Sequence, residues 1–185
     1  MFRIKLILSL LIYFSLSVSS LSDDKEKLLK KITDLNTLEF SFNQIVNDKI
    51  ETGACLLEFP GKLKCNYFDK KQKELIINNK KLAITQKRYN KTYYYPFNDS
   101  PFLNILYKEK LLEIIKSGKL KKDKNKLKLI YNDKNNLTIL FNKSDLELSG
   151  WKIIDQYNNE IILNLKIISR NSPFSKKTFN FPKKN

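Results

Sequence analysis

The chain has 185 residues, with 35 lysines and arginines against 19 aspartates and glutamates, a formal net charge of +16, two cysteines and no histidine. The missing histidine excludes His-activated nucleophiles, histidine general bases and His-containing metal sites, and no glycine-rich phosphate loop is present. Arg3, Arg88 and Arg170 are the only arginines, so the positive charge is a scattered lysine shell. Such a shell lacks the arginine forks that read phosphates and base edges, and no nucleic-acid partner is expected, although it can steer the protein toward anionic lipid headgroups or an acidic partner.

The chain opens with Arg3 and Lys5, an apolar run from Leu6 to Val18, and the small residues Ser19, Ser20 and Ser22. That order is the layout of a secretory signal, and the run is short for a membrane span and soon meets Asp23 and Asp24. Residues 1–22 are therefore expected to be a signal peptide, cleaved after Ser22 or after Ser20, and residues 23–185 a single exported domain. No cysteine stands near the cleavage site to carry a lipid.

Asp23, Asp24 and Glu26 form an acidic first turn, and Leu28, Ile32 and Leu35 repeat at helical spacing. From Leu38 the period drops to two: Leu38, Phe40, Phe42 and Gln44 alternate with Glu39, Ser41 and Asn43. Short runs of strand type follow over 54–59, 62–69, 74–78, 81–86 and 89–95, parted by turn residues such as Pro60-Gly61 and Asn78-Asn79. Ser100 as N-cap and Pro101 at the first helical position predict a second helical segment, with Phe102, Leu103 and Leu106, then Leu111, Leu112, Ile114 and Ile115, as apolar stripes ending at Gly118. Strand patterns return over 126–131, 137–141, 146–155, 160–168 and 176–181. About eleven strands in so short a chain predict an α+β, mainly β fold, a strongly curved antiparallel sheet or unclosed β-barrel with a helical lid.

With Pro60 at the apex of a hairpin, residues whose numbers sum to 120 pair. Cys55 then faces Cys65, Leu57 faces Leu63, and Gly53 faces Tyr67. Cys55, Leu57, Phe59, Leu63, Cys65 and Tyr67 share one face, which needs a dry partner. The two cysteines can form a disulfide in an exported protein or remain two small buried thiols, and their part is structural either way. The acidic pairs Asp145 with Glu147 and Asp155 with Glu160 have spacings common on solvated strands and turns. The pattern argues for binding rather than catalysis, with no cofactor and no metal.

The order Leu38-x-x-x-Phe42-x-Gln44, then Gly53 followed by Pro60-Gly61-x-Leu63-x-x-x-Tyr67, then LIINNKKLAI over 75–84, SPFLNIL over 100–106 and GWKIIDQYNNEIILNLK over 150–166 resembles the LolA family of periplasmic outer-membrane lipoprotein carrier proteins. The resemblance implies an unclosed barrel whose concave side holds the acyl chains of a lipoprotein in transit. It also implies an inner-membrane ABC transporter complex that hands cargo over, and often an outer-membrane receptor that takes it. A monomeric periplasmic carrier is expected, the alternative being an outer-membrane lipoprotein receptor or a periplasmic lipid or lipoprotein sensor on the same sheet. The residues expected to line the cavity are Phe40, Phe42, Leu57, Phe59, Leu63 and Tyr67, with Phe102, Leu103 and Leu106 from the lid. The family commonly has an arginine before the hairpin proline, which is thought to hold the lid closed. Here that position is Phe59, so the latch must be apolar or lie elsewhere.

Overall fold

A computed structural model describes residues 21–97, 102–131, 137–155 and 158–182. The expected signal lies outside the described residues except for Leu21 and Ser22, as do Ser100 and Pro101. Residues 21–33 form helix α1. Leu28 and Ile32, one turn apart, are buried on one face, and Leu35 extends that face past the helix end.

The period-two stretches become strands. In chain order the elements are β1 (Thr37–Val46), β2 (Lys49–Glu58), β3 (Lys62–Tyr67), β4 (Lys73–Asn78), β5 (Lys81–Gln86), a 3₁₀ turn (Lys87–Tyr89) and β6 (Lys91–Pro96). Helices α2 (Leu103–Leu106) and α3 (Lys108–Ser117) follow, and then β7 (Lys119–Lys122), β8 (Lys126–Tyr131), β9 (Leu137–Asn142), β10 (Leu148–Ile154) and β11 (Glu160–Arg170). All eleven strands join one antiparallel sheet in the order β6-β5-β4-β3-β2-β1-β11-β10-β9-β8-β7. The outermost strands, β6 and β7, do not pair with each other, so the barrel is unclosed.

Most apolar strand residues fall on the inner face, which the helices cover, while Ile76 and Ala83 are buried on the outer face. One core cluster unites Leu28 and Ile32 of α1, Ile105 and Leu106 of α2, and Leu111, Ile114 and Ile115 of α3 with Leu127, Leu129, Ile139 and Phe141 of β8 and β9. Polar bonds fasten the helices to one another: Lys25 Nζ donates to Lys116 O at 2.7 Å, and Lys108 Nζ donates to Thr33 O and to Asn36 Oδ1, each at 3.0 Å. No described helix is long and apolar enough to cross a membrane.

Two expectations need correction. The stretch 176–181 is not a strand; residues 176–179 turn, and the segment straps the outer face of the sheet, with Phe179 buried, Asn78 Nδ2 donating to Phe179 O at 3.3 Å and Tyr94 OH donating to Pro182 O at 2.8 Å. Its alternating phenylalanines are inserted from above rather than paired. The second helical segment is broken at Tyr107, whose extended backbone (φ −111°, ψ 117°) ends α2 and starts α3. Gly118 caps α3 as expected, in extended geometry, with its N–H donating to Ile114 O at 2.8 Å, and leads straight into β7.

Candidate functional site

The register places a continuous apolar surface on the inner face. Phe40 pairs with Cys55, Cys55 with Cys65 and Cys65 with Leu75; one row along, Leu63 pairs with Ile77 and Ile77 with Leu82. Across β1, Gln44 pairs with Leu163, and Leu163 with Trp151. A partly open cavity of about 200 Å³ lies over this surface, bordered by these residues together with Phe42, Tyr67, Phe97, Phe102, Ile153, Asp155 and Ile161.

Of the nine residues expected to line it, Phe40, Phe42, Leu63, Tyr67 and Phe102 do so. Leu57, Phe59, Leu103 and Leu106 do not border it. Leu57 and Leu106 are buried among core side chains, and Phe59 packs against the core at the hairpin tip, where Lys108 Nζ stands 5.8 Å from its ring centroid. The physical reason is that α2 sits directly on the tip of the β2–β3 hairpin. Gly61 N–H donates to Leu106 O at 2.8 Å, Phe59 N–H donates to Asn36 O at 3.0 Å, and the Tyr107 ring lies over Gly61. That contact keeps Leu57, Phe59 and Leu106 packed in the core at the hairpin tip, away from the cavity.

Trp151 is the main lining residue that the sequence pattern does not single out, although it stands within the Gly-Trp step of β10. Its ring stands 5.2 Å from Phe102 and 6.4 Å, edge-on, from Phe40, and so joins lid to sheet. A bulge aims it inward: Leu148 pairs with Phe141 but Gly150 pairs with Leu140, so Ser149 is the extra residue and both Leu148 and Trp151 face in. Leu75, Ile77, Leu82, Ile153, Ile161 and Leu163 follow from plain alternation once the inner parity of each strand is known.

Cys55 and Cys65 are joined in a disulfide that forms part of the cavity wall. Next to it, Gly53 permits a close approach: a Cβ there would meet the Phe42 ring at 2.7 Å and would collide with Asn66 O. The Phe42 ring therefore lies over Gly53 and meets Tyr67 edge-to-face at 5.1 Å.

Polar groups gather at one end of the cavity, where β1 meets β2, β3 meets β4 and β10 meets β11. Gln44 Nε2 donates to Glu51 Oε2 at 3.4 Å, and Lys73 Nζ pairs with Glu51 Oε1 at 2.6 Å while standing 3.7 Å from the Tyr67 ring centroid. Burial, and then the nearby charges of Glu51 and Asp69, hold the Tyr67 hydroxyl well above the ordinary phenol range, so it stays neutral. Asp155 takes hydrogen bonds from Asn159 N and Nδ2 at 2.8 and 2.9 Å. The other acids weighed in the sequence are also engaged: Asp145 accepts from Glu147 N, Glu147 pairs with Arg170 and Lys31, and Glu160 pairs with Lys152. The cavity is thus a greasy trough with a polar end, suited to holding a hydrocarbon while its polar head stays near water.

Comparison with known proteins agrees with this geometry. Among curated proteins no sequence matches. Among solved structures, the chain is similar to an uncharacterized conserved protein from Thermus thermophilus, with a TM-score of 0.54 and 10% identity over 90% of this chain and 95% of that one. It is also similar to a LolA superfamily protein from Nitrosomonas europaea (TM-score 0.44, 7% identity, 84% of this chain and 97% of that one) and to the lipoprotein LppX of Mycobacterium tuberculosis (TM-score 0.46, 9% identity, 85% and 98%). At these identities the Thermus likeness shows a shared fold. The family model for outer membrane lipoprotein carrier protein LolA matches residues 33–182, most of the chain, and the protein belongs to the LolA family.

Proposed function

We propose that this protein is a periplasmic carrier that binds the acyl chains of lipoproteins released from the inner membrane and delivers them to the outer membrane, without chemistry or cofactor. The observation that carries this reading is the apolar cavity on the inner face of the unclosed sheet, walled by Phe40, Phe42, Leu63 and Trp151 and covered by Phe102. Residues 1–22 act as its signal peptide, and it works as a monomer that receives cargo from an inner-membrane ABC transporter complex and passes it to an outer-membrane acceptor.

The cavity as it stands is too small for the task. An apolar cavity of about 150 Å³ takes one benzene, so about 200 Å³ holds only a piece of an acyl chain. Loading requires α2 and α3 to lift from the sheet. Each methylene buried is worth about 0.8 kcal/mol, so ten contribute about 8 kcal/mol. Separating the apolar lid from the sheet offsets part of this, which keeps cargo transferable.

The test is release from spheroplasts. The protein is added to spheroplasts synthesising a labelled triacylated lipoprotein together with the matching transporter. A carrier brings label into the soluble fraction as a one-to-one complex. Label that stays in the membrane while the protein is folded favours a receptor or sensor on the same sheet.

A further inference from the structure

The two turns beside the polar end of the cavity, residues 68–72 between β3 and β4 and residues 87–90 between β5 and β6, are docked on each other. Lys87 N–H donates to Gln72 O and Arg88 N–H to Lys71 O, both at 3.3 Å, and Arg88 Nη1 reaches Lys70 O at 3.5 Å. This corner gathers the exposed cations Lys70, Lys71, Lys87, Arg88 and Lys91. Lys87 is held by Glu74 at 2.7 Å; among the described residues no ion pair involves Lys70, Lys71, Arg88 or Lys91.

The same corner turns large rings to solvent. Phe68 is 71% exposed, Tyr89 52% and Tyr93 42%. Phe68 directly follows Tyr67 of the cavity wall and is fixed by its N–H, which donates to Thr52 O at 2.8 Å. A phenylalanine held outward by its backbone, among lysines, adds nothing to the core, and such rimmed apolar exposure marks an interaction site. Rings that settle at headgroup depth beside cations that attract anionic lipid are the chemistry of a membrane-surface contact.

We propose that this corner docks on an anionic bilayer surface, with Phe68 and Tyr89 entering the headgroup layer and Lys70, Lys71 and Arg88 meeting lipid phosphates. The polar end of the cavity is then held against the membrane beside the transporter or acceptor, so an acyl chain reaches or leaves the trough with little exposure to water. The purpose of the docking rests on the carrier reading, but the docking itself is measured on cargo-free protein.

The experiment is co-sedimentation of the purified protein with vesicles of phosphatidylcholine alone or mixed with phosphatidylglycerol. Binding is expected only to the mixed vesicles and to weaken as salt is raised. The triple variant K70Q/K71Q/R88Q should bind about a hundredfold more weakly, each surface cation being worth about a fivefold change. K119Q/K121Q/K124Q, with the same charge change at the opposite edge of the sheet, should bind like the parent. A Phe68→Trp variant should shift its emission to the blue on the mixed vesicles. No binding to mixed vesicles, equal loss in the two triple variants, or an unshifted emission from the Phe68→Trp variant would each overturn the proposal. Recruitment only to vesicles carrying a membrane protein would also overturn it, in favour of a protein partner. None of these outcomes bears on whether cargo is carried.

Discussion

Tyr67 marks the point where the cavity changes from apolar to polar, and its chemistry is testable apart from any cargo. Its hydroxyl titrates higher in the folded protein than in the unfolded chain, where a phenol ionises near pH 10. The stability this gives is fully present below about pH 10 and is lost as pH rises further, because the unfolded state then releases a proton that the folded state keeps. Tyr67→Phe removes that dependence, so the parent's urea midpoint should fall relative to the variant's as pH climbs above about 10; a constant gap across that range would contradict the assignment. Gly61 makes a second residue-scale case. Its φ of +69° and the Tyr107 hydroxyl 2.8 Å from where a Cβ would stand mean that Gly61→Ala costs about 1–2 kcal/mol from backbone strain alone. It also pushes Tyr107 away from the hairpin tip, and a urea titration gives the cost. Neither contact is legible in the chain, where Phe59 stands out as the missing arginine. The tip is instead clipped by the Gly61–Leu106 backbone bond, and the cation near it comes from the helix side as Lys108.

The hairpin shows what an element discloses in sequence and what it hides. Its register, with Cys55 opposite Cys65 and Gly53 opposite Tyr67, follows from alternation because a one-residue slip would turn every apolar side chain outward. Bulges escape such reading. Ser149 in β10 shifts parity so that Leu148 and Trp151 both face in, and the irregularity of β11 opposite Glu39 and Phe40 leaves Ile168 57% exposed. The strap over 176–181 mimics a strand for a related reason: a Phe-x-Phe spacing signals two side chains on one side, whether or not a neighbouring strand pairs. β7 gives no strand signal because Lys-Leu-Lys-Lys offers a single apolar residue. The disulfide closes a short loop, its cysteines ten residues apart, and the chain-entropy model puts its removal at about 2–3 kcal/mol. Urea unfolding with and without reductant should show that difference, and coincident curves would mean that the crosslink adds nothing to stability.

At the scale of the whole molecule, the unclosed sheet and the helices share one core, and on the proposed function the two must part to admit cargo. Phe102 and Trp151 are their meeting point, and the cavity beside them is the space from which opening can start. Filling it should stop uptake while sparing the fold: Leu75→Trp, a half-buried wall position beside the disulfide, should leave the circular dichroism spectrum intact and reduce acyl-chain binding about tenfold or more, read with a fluorescent fatty-acyl probe. Five of the nine expected residues border this cavity. The parity of β10, and the docking of α2 onto the hairpin rather than over the trough, depend on long-range contacts that no local pattern encodes. The measurement that tests the central claim most directly is the spheroplast release assay. A folded protein that draws labelled triacylated lipoprotein into a soluble one-to-one complex, with Leu75→Trp failing to do so, is the predicted result. Label that remains in the membrane with the parent protein, or release equally efficient with Leu75→Trp, would contradict the view that this cavity carries lipid.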